Sequence, residues 1–300
     1  MQFTSVRGDS YRRAGVGSAD EWRLSRRWIC LLVIGACEAA WLAIGGWQFR
    51  LISTAAAAGA FALFVLPLGL ERYRTEPRIA GTLRACAYLI PFTAMTGVLS
   101  YLVVSTNAGL VDQRLADWDR VLGFDWLATY QWIVARPLLH LVLQLAYTSG
   151  LPQLALVVVF LGFTDRMERL NEFVWLFVMS TLVCIAISWP FPAAGPWTHY
   201  HLSSVVDTSA MSHFAALRDG NLRTIDLGNM QGLISIPSLH TALAVILAYA
   251  VRSTRLLGPF LVLDTLMILS TPITGGHYLV DVVAGAALAA LLIFAKRLRK

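Results

Sequence analysis

Two histidines and one aspartate near the carboxyl-terminal end have the types and spacing of a reaction centre. Ile236-Pro237-Ser238-Leu239-His240 opens one apolar run, and Gly275-Gly276-His277-Tyr278-Leu279-Val280-Asp281 opens the last. His277 and Asp281 are four residues apart, so a helix places them on one face, one turn from each other. Between His240 and His277 the chain runs down an apolar stretch, turns at Arg252 and Arg255, and runs back, so both histidines return to the same end. A His held by a carboxylate can act as a nucleophile, and a second His can protonate a leaving oxygen. Helix amino termini offer free N–H groups and a favourable dipole to an oxyanion. Such a set suits phosphoryl transfer through a covalent intermediate. Interfacial polar histidines at helix ends would show the same spacing, so spacing alone leaves both readings open.

The elements that must position these groups follow from hydropathy. Hydrophobic residues are 57% of the 300-residue chain and charged residues 14%, against about 45–50% and about 25% in soluble domains. Charge is too sparse to cover a soluble surface, and large apolar side chains are too many for a disordered or collagenous chain. Apolar runs of about the length that crosses a bilayer as a helix fall at 28–47, 51–70, 84–105, 137–163, 172–190, 236–251, 257–275 and 277–295. The expected fold class is therefore all-α, a polytopic membrane helical bundle of about eight transmembrane helices. The first run lacks a small-x-small cleavage site and follows a polar, Arg-rich stretch, so it reads as a span and not as a signal peptide. The fourth is overlong and carries Gly150 and Pro152, which predicts a kink or a break.

Charge placement sets the orientation. With the amino terminus in the cytoplasm, 18 of the 24 basic residues fall in cytoplasmic segments; only Arg50, Arg114, Arg120, Arg136, Arg218 and Arg223 fall on the far side. This bias is a positive-inside pattern. It predicts cytoplasmic termini and a reaction centre facing the extracytoplasmic side, and it accounts for the net charge of +6 without a nucleic-acid partner. The far side keeps two long segments. Residues 106–136 mix Trp118, Trp126, Tyr130 and Trp132 with Asp112, Asp117, Asp119 and Asp125, which suits an amphipathic segment on the membrane interface. Residues 191–235 start stiff and then become polar, with His199, His201 and His213 lacking a metal-ligand spacing. Cys30, Cys37, Cys86 and Cys184 lie in apolar stretches without CxxC spacing, so neither a disulfide framework nor a zinc site is expected. Glu38 and Asp264 fall within spans and read as hydrogen-bonding groups between helices; His140, Tyr147 and Gln153 near the fourth span are weak headgroup contacts.

Pro237-Ser238-Leu239-His240 followed by Gly276-His277-Tyr278-x-x-Asp281 resembles the last two signature motifs of the type 2 phosphatidic acid phosphatase (PAP2) superfamily, usually PSGH and SRxxxxxHxxxD. Leu239 in place of Gly, with His-Tyr-x-x-Asp, looks more like the branch containing inositolphosphotransferases and sphingolipid synthases. The resemblance implies that His277 attacks phosphorus to form a phosphohistidine, that Asp281 positions it, and that His240 protonates the leaving group. It covers roughly residues 84–295, six spans. Two departures stand out. Ser270 matches the family Ser, but Thr271 stands where the pattern has Arg, and the Lys and Arg of the first motif are missing at their usual distance. Arg136-Pro137 reads as "RP" but lies too far upstream and lacks the Lys.

The expected organisation is a cytoplasmic tail (1–27), two additional spans (28–83), a catalytic domain (84–295) and a basic tail (296–300). The expected activity is transfer of a phosphoryl or phospho-headgroup between a lipid and an alcohol, with no cofactor, in a bacterial inner membrane. Ser238, Leu239, Gly276 and Tyr278 are the expected phosphate or substrate contacts, with Arg218 and Arg223 as replacements for the missing cations. Hydrolysis of phosphatidate or a polyprenyl (pyro)phosphate is the second reading. A transporter or non-catalytic scaffold is the third, and the clustering of polar groups at one face counts against transport.

Overall fold

The computed structural model describes residues 27–202 and 212–298, and helix dominates throughout. The amino-terminal tail, part of the 191–235 loop and the last two residues lie outside the described residues. The chain divides after Gly46. The first unit contributes α1 (Arg27–Ile44), an apolar helix long enough to cross a bilayer.

The second unit begins with β1 (Gln48–Phe49) and continues through α2 (Leu51–Val65), α3 (Glu71–Arg74), α4 (Pro77–Val104), α5 (Asp112–Val121), α6 (Trp126–Val134), α7 (Pro137–Thr148), α8 (Gly150–Phe163) and α9 (Met167–Ser188). After these come α10 (Pro196–His199), α11 (Ser212–Arg218), β2 (Thr224–Ile225), α12 (Leu239–Ala250), α13 (Leu257–Thr274) and α14 (Leu279–Arg297). Every expected span has a helical counterpart. The third begins earlier than expected, at Pro77, because Pro is tolerated in a helix's first turn. The fourth is broken as expected: α7 and α8 are bent by 45° at Ser149. Pro152 has no N–H to continue the ladder, and Gly150 adds no side chain to fill the bend.

The core is built from α4, α8, α9, α12, α13 and α14, whose buried faces include Phe92, Leu161, Phe173, Leu176, Ala244 and Met267. By contrast α2 buries almost nothing and exposes Leu51, Ile52 and Leu63, as a helix solvated by lipid tails would. It still belongs to the larger unit, because β1 pairs in parallel with β2 (Gln48 with Thr224, Phe49 with Ile225) and Arg50 bridges Asp226 at 2.8 Å.

The amino termini of α12 and α14 and the carboxyl terminus of α13 meet at one end of the bundle. The opposite end carries Arg252 and Arg297. There Arg252 bridges buried Glu172 at 2.7 Å, and the guanidinium groups of Arg252 and Arg297 lie 3.7 and 5.1 Å from the Tyr249 ring centre.

Candidate active site

The Gly-Gly-His sequence ends α13 and delivers His277. The His277 N–H donates to the Pro272 carbonyl at 3.2 Å and the Gly275 N–H to the Thr271 carbonyl at 3.1 Å. Gly276 takes a left-handed φ of +62°, as a Schellman-type stop requires. A Cβ on Gly276 would lie 2.9 Å from the Trp197 ring, so both conformation and space call for glycine. The Trp126 indole N–H closes the turn from outside, donating to the Pro272 and His277 carbonyls at 3.0 and 3.1 Å.

Asp281 is the third residue of α14 and is completely buried. Its Oδ2 accepts from the Tyr278 N–H at 3.1 Å and the Ser235 hydroxyl at 2.8 Å, and it faces His277 Nδ1 at 3.3 Å. The carboxylate is thus fixed by two other donors before it orients the imidazole. His277 is itself only 5% exposed.

His240 stands in the first turn of α12. Ser238 caps that helix, its Oγ accepting from the Thr241 N–H at 3.4 Å. The Ser238 N–H donates to the Asp281 carbonyl at 3.0 Å, which ties the two motifs together through main chain. This approach depends on Gly285 of α14: a Cβ there would lie 2.3 Å from the Ser238 carbonyl oxygen. His240 Nδ1 lies 3.1 Å from the Tyr147 hydroxyl, with the two rings stacked at 4.1 Å between centres. The break after α7 brings Tyr147 to this position.

Both imidazoles line one cavity of about 290 Å³. Leu239, Leu243, Phe177 and Ile185 give it an apolar wall, and Thr93, Thr96 and Ser100 form a line of hydroxyls along one face of α4. Those hydroxyls donate to their own helix's carbonyls, which leaves oxygen lone pairs for the cavity. No Lys or Arg is among the lining residues.

Two acids hold the turn that carries His277 and the start of α14 from outside. Asp112 accepts from the Ala194 and Gly195 N–H groups at 2.9 and 2.8 Å and from the Tyr278 hydroxyl at 2.9 Å. Burial, with the Asp112 carboxylate beside it, pushes the Tyr278 phenol well above its ordinary pKa, so it stays a donor. Asp119 accepts from the Leu279 and Val280 N–H groups at 2.8 and 2.9 Å. Burial raises the Asp119 pKa, and those two amides oppose the shift. The amino terminus of α14 is therefore already capped by a carboxylate, and this corrects the expectation that its amides await a phosphate. At the start of α12 the Leu239 and His240 amides make no such bond.

A family model described as the PAP2 superfamily matches residues 113–295. The chain belongs to the PAP2 superfamily. Its members are phosphatases and phosphotransferases that act on phosphate-bearing lipids, and the protein is accordingly an enzyme of that kind. No curated protein and no solved structure matches the chain. The PAP2 match opens within α5, one residue after Asp112, and takes in Asp119, whereas α4, which supplies the hydroxyl wall, precedes it.

Not every residue singled out from the PAP2-like motifs lies at the cavity. Of the six expected substrate contacts, Leu239 alone lines it. Ser238 and Tyr278 are fully buried in the cap and anchor roles just described, and Gly276 lies beneath Trp197. Arg218 donates to the Ala108 carbonyl at 2.9 Å and lies over Phe214; its Nη1 is buried without a partner, and burial lowers its pKa. Arg223 stacks its guanidinium 4.8 Å from the Trp47 ring centre. Ser270 and Thr271, at the PAP2 Ser and Arg positions, are buried and donate to the Met267 carbonyl of their own helix. His213 is held by the Tyr101 hydroxyl at 2.7 Å, and among the described residues no three metal-ligating side chains cluster. Asp264 is buried on α13 with Gln153 as its polar neighbour.

Asp112, Asp119, Trp126 and Ser235 were missed as members of the assembly. The first two carried a signal. Asp112, Leu115, Ala116 and Asp119 recur at the three, four and seven spacing of one helix face, and that face is the buried one. Segment 106–136 is thus more than an interfacial segment. Asp112, Asp119 and Trp126 turn inward toward the His277 turn and the start of α14, while Trp118, Val121, Leu122 and Trp132 are exposed on the other side.

Proposed function

We propose that the protein is an integral-membrane lipid phosphotransferase working through a phosphohistidine at His277. The observation that carries this is the pair of imidazoles on one apolar cavity, lined by no Lys or Arg among the described residues, with one imidazole backed by the Asp281 carboxylate. His277 donates its Nδ1–H to Asp281 and attacks phosphorus with Nε2. The P–N bond forms as the ester P–O bond breaks, and the departing oxygen takes a proton from His240. An alcohol then attacks the phosphohistidine, the P–N bond breaks, and His240 recovers the alcohol's proton. The Leu239 and His240 amides are suitably placed donors for a phosphoryl oxygen.

The cation-free wall favours transferase chemistry on a phosphodiester. A monoanion needs less compensating charge than a phosphomonoester dianion, and a mostly apolar site excludes the bulk water that would compete with an alcohol. In the same reading residues 84–295 are the catalytic domain, 28–83 add two spans, the tails 1–27 and 296–300 are cytoplasmic, and the site faces the extracytoplasmic side.

The test is product analysis with purified protein and labelled phospholipids, with and without alcohol acceptors. The proposal expects headgroup transfer that requires the acceptor. Release of the phosphoryl group to water alone, at the same rate with or without alcohol, would reassign the enzyme as a hydrolase.

A further inference from the structure

We infer that the end of the bundle opposite His240 and His277 holds an anionic phospholipid, with its phosphate on Arg169 and Arg297. The inference is independent of the reaction proposed at the other end. Three elements bring cations together here: the first turn of α9 with Arg169, the turn after α12 with Arg252, and the last turn of α14 with Lys296 and Arg297. Tyr249 is their common support. The Arg252 and Arg297 guanidiniums both lie against its ring, Arg297 Nε donates to its hydroxyl at 3.2 Å, and Arg252 Nη1 donates to its carbonyl at 2.7 Å. Arg169 in turn donates to the Arg252 carbonyl. Lys296 stands 4.7 Å from the Trp175 ring centre.

Positive charge at this corner exceeds negative. Glu172 is the buried acid of the cluster, and both its oxygens are engaged: Oε2 bridges Arg252 at 2.7 Å and Oε1 accepts from the Tyr249 hydroxyl at 3.3 Å. Glu168, the acid of the first turn of α9, forms no salt bridge with these cations, and Arg169 and Arg297 bridge no acid among the described residues. Arg166 and Arg252 set like charge beside Arg169. Like charges held this close repel unless an anion sits among them, and guanidinium matches the geometry of a phosphate. The neighbouring surface selects a lipid over a soluble anion. Leu291, Phe294 and Leu298 share one face of α14 by their three and seven spacing, are all exposed, and flank Arg297 in sequence. A soluble phosphate makes no use of that strip, whereas an acyl chain can lie along Leu291 and Phe294 while its phosphate meets Arg297. Basic pockets between spanning helices are where acidic headgroups dock. A zwitterionic lipid carries the same phosphate but brings its own cation into the cluster, so a net anionic lipid fits better.

Native mass spectrometry of the full chain in detergent, titrated with phosphatidylglycerol or phosphatidylcholine, tests this. Three proteins are compared: wild type, Arg169→Gln/Arg297→Gln, and Arg72→Gln/Arg74→Gln, which removes the same charge from exposed positions on α3. Any lipid held in the catalytic cavity is common to all three. Arg169→Gln/Arg297→Gln should weaken phosphatidylglycerol binding about 10- to 30-fold, the scale of two arginines at a membrane surface, while Arg72→Gln/Arg74→Gln stays within about twofold of wild type. Should the double variant melt lower than wild type without lipid, Arg297→Gln alone, at an exposed position, still weakens binding about fivefold. Wild type should prefer phosphatidylglycerol to phosphatidylcholine, and inorganic phosphate at the lipid's concentration should not displace it. Equal losses in the two double variants would mean diffuse surface charge, equal binding of the two lipids would mean no selection by charge, and displacement by inorganic phosphate would mean a soluble-anion site. Each of these overturns the inference.

Discussion

At the scale of single residues, the proposed reaction centre is held by carboxylates with different tasks. Asp281 orients the imidazole of His277, Asp112 anchors the neighbouring Tyr278, and Asp119 caps the helix that carries Asp281. Asp119 has a consequence in pH. Burial raises its folded-state pKa above the unfolded value, so between the two values the folded chain binds more protons than the unfolded one. Its contribution is fully present below the ordinary carboxylate pKa and declines as pH rises through the raised value. Thermal unfolding of wild type and Asp119→Asn in detergent should therefore show a wild-type advantage that shrinks across that window and then levels off. A difference independent of pH would contradict this account.

At the scale of elements, glycine governs how closely the helices meet. Gly285 lets α14 approach the Ser238 turn, and through that contact the Ser238 N–H reaches the Asp281 carbonyl. Gly285→Ala should destabilise the protein by about 1–3 kcal/mol, as overpacking in a tight core does. It should also lower turnover further than the loss of folded protein explains, because it separates His240 from His277. Melting temperature and turnover per folded molecule check both parts; an unchanged melting temperature would show that the contact relaxes freely. The spans and the break at Gly150 and Pro152 were legible because twenty-residue apolar runs and proline act locally. The His277–Asp281 pair was legible because its four-residue spacing is helical. The inward acids were not, since Asp112 and Asp119 have the composition of a wet surface and their partners lie about 80 or 160 residues away. Arg218 and Arg223 were drawn into the site by charge and side of the membrane, but their Phe214 and Trp47 neighbours depend on tertiary packing.

At the scale of the larger unit, His240 and His277 lie at the end of the bundle opposite Arg252 and Arg297. The 12-residue α12 spans about 18 Å, well short of the roughly 30 Å hydrocarbon thickness. Taken alone, α12 is therefore too short to cross the hydrocarbon core. Reporter insertions at Gly220 and after Leu298 should report the extracytoplasmic and cytoplasmic sides respectively; both on the same side would remove the proposed orientation. The central claim is a covalent bond between phosphorus and His277, and rapid quenching of the enzyme with a phosphorus-labelled lipid tests it most directly. The account predicts an acid-labile, base-stable label on wild type that disappears when the acceptor alcohol is added and is absent from His277→Ala. A label that persists in His277→Ala, or turnover by wild type with no labelled enzyme at any time, would contradict it.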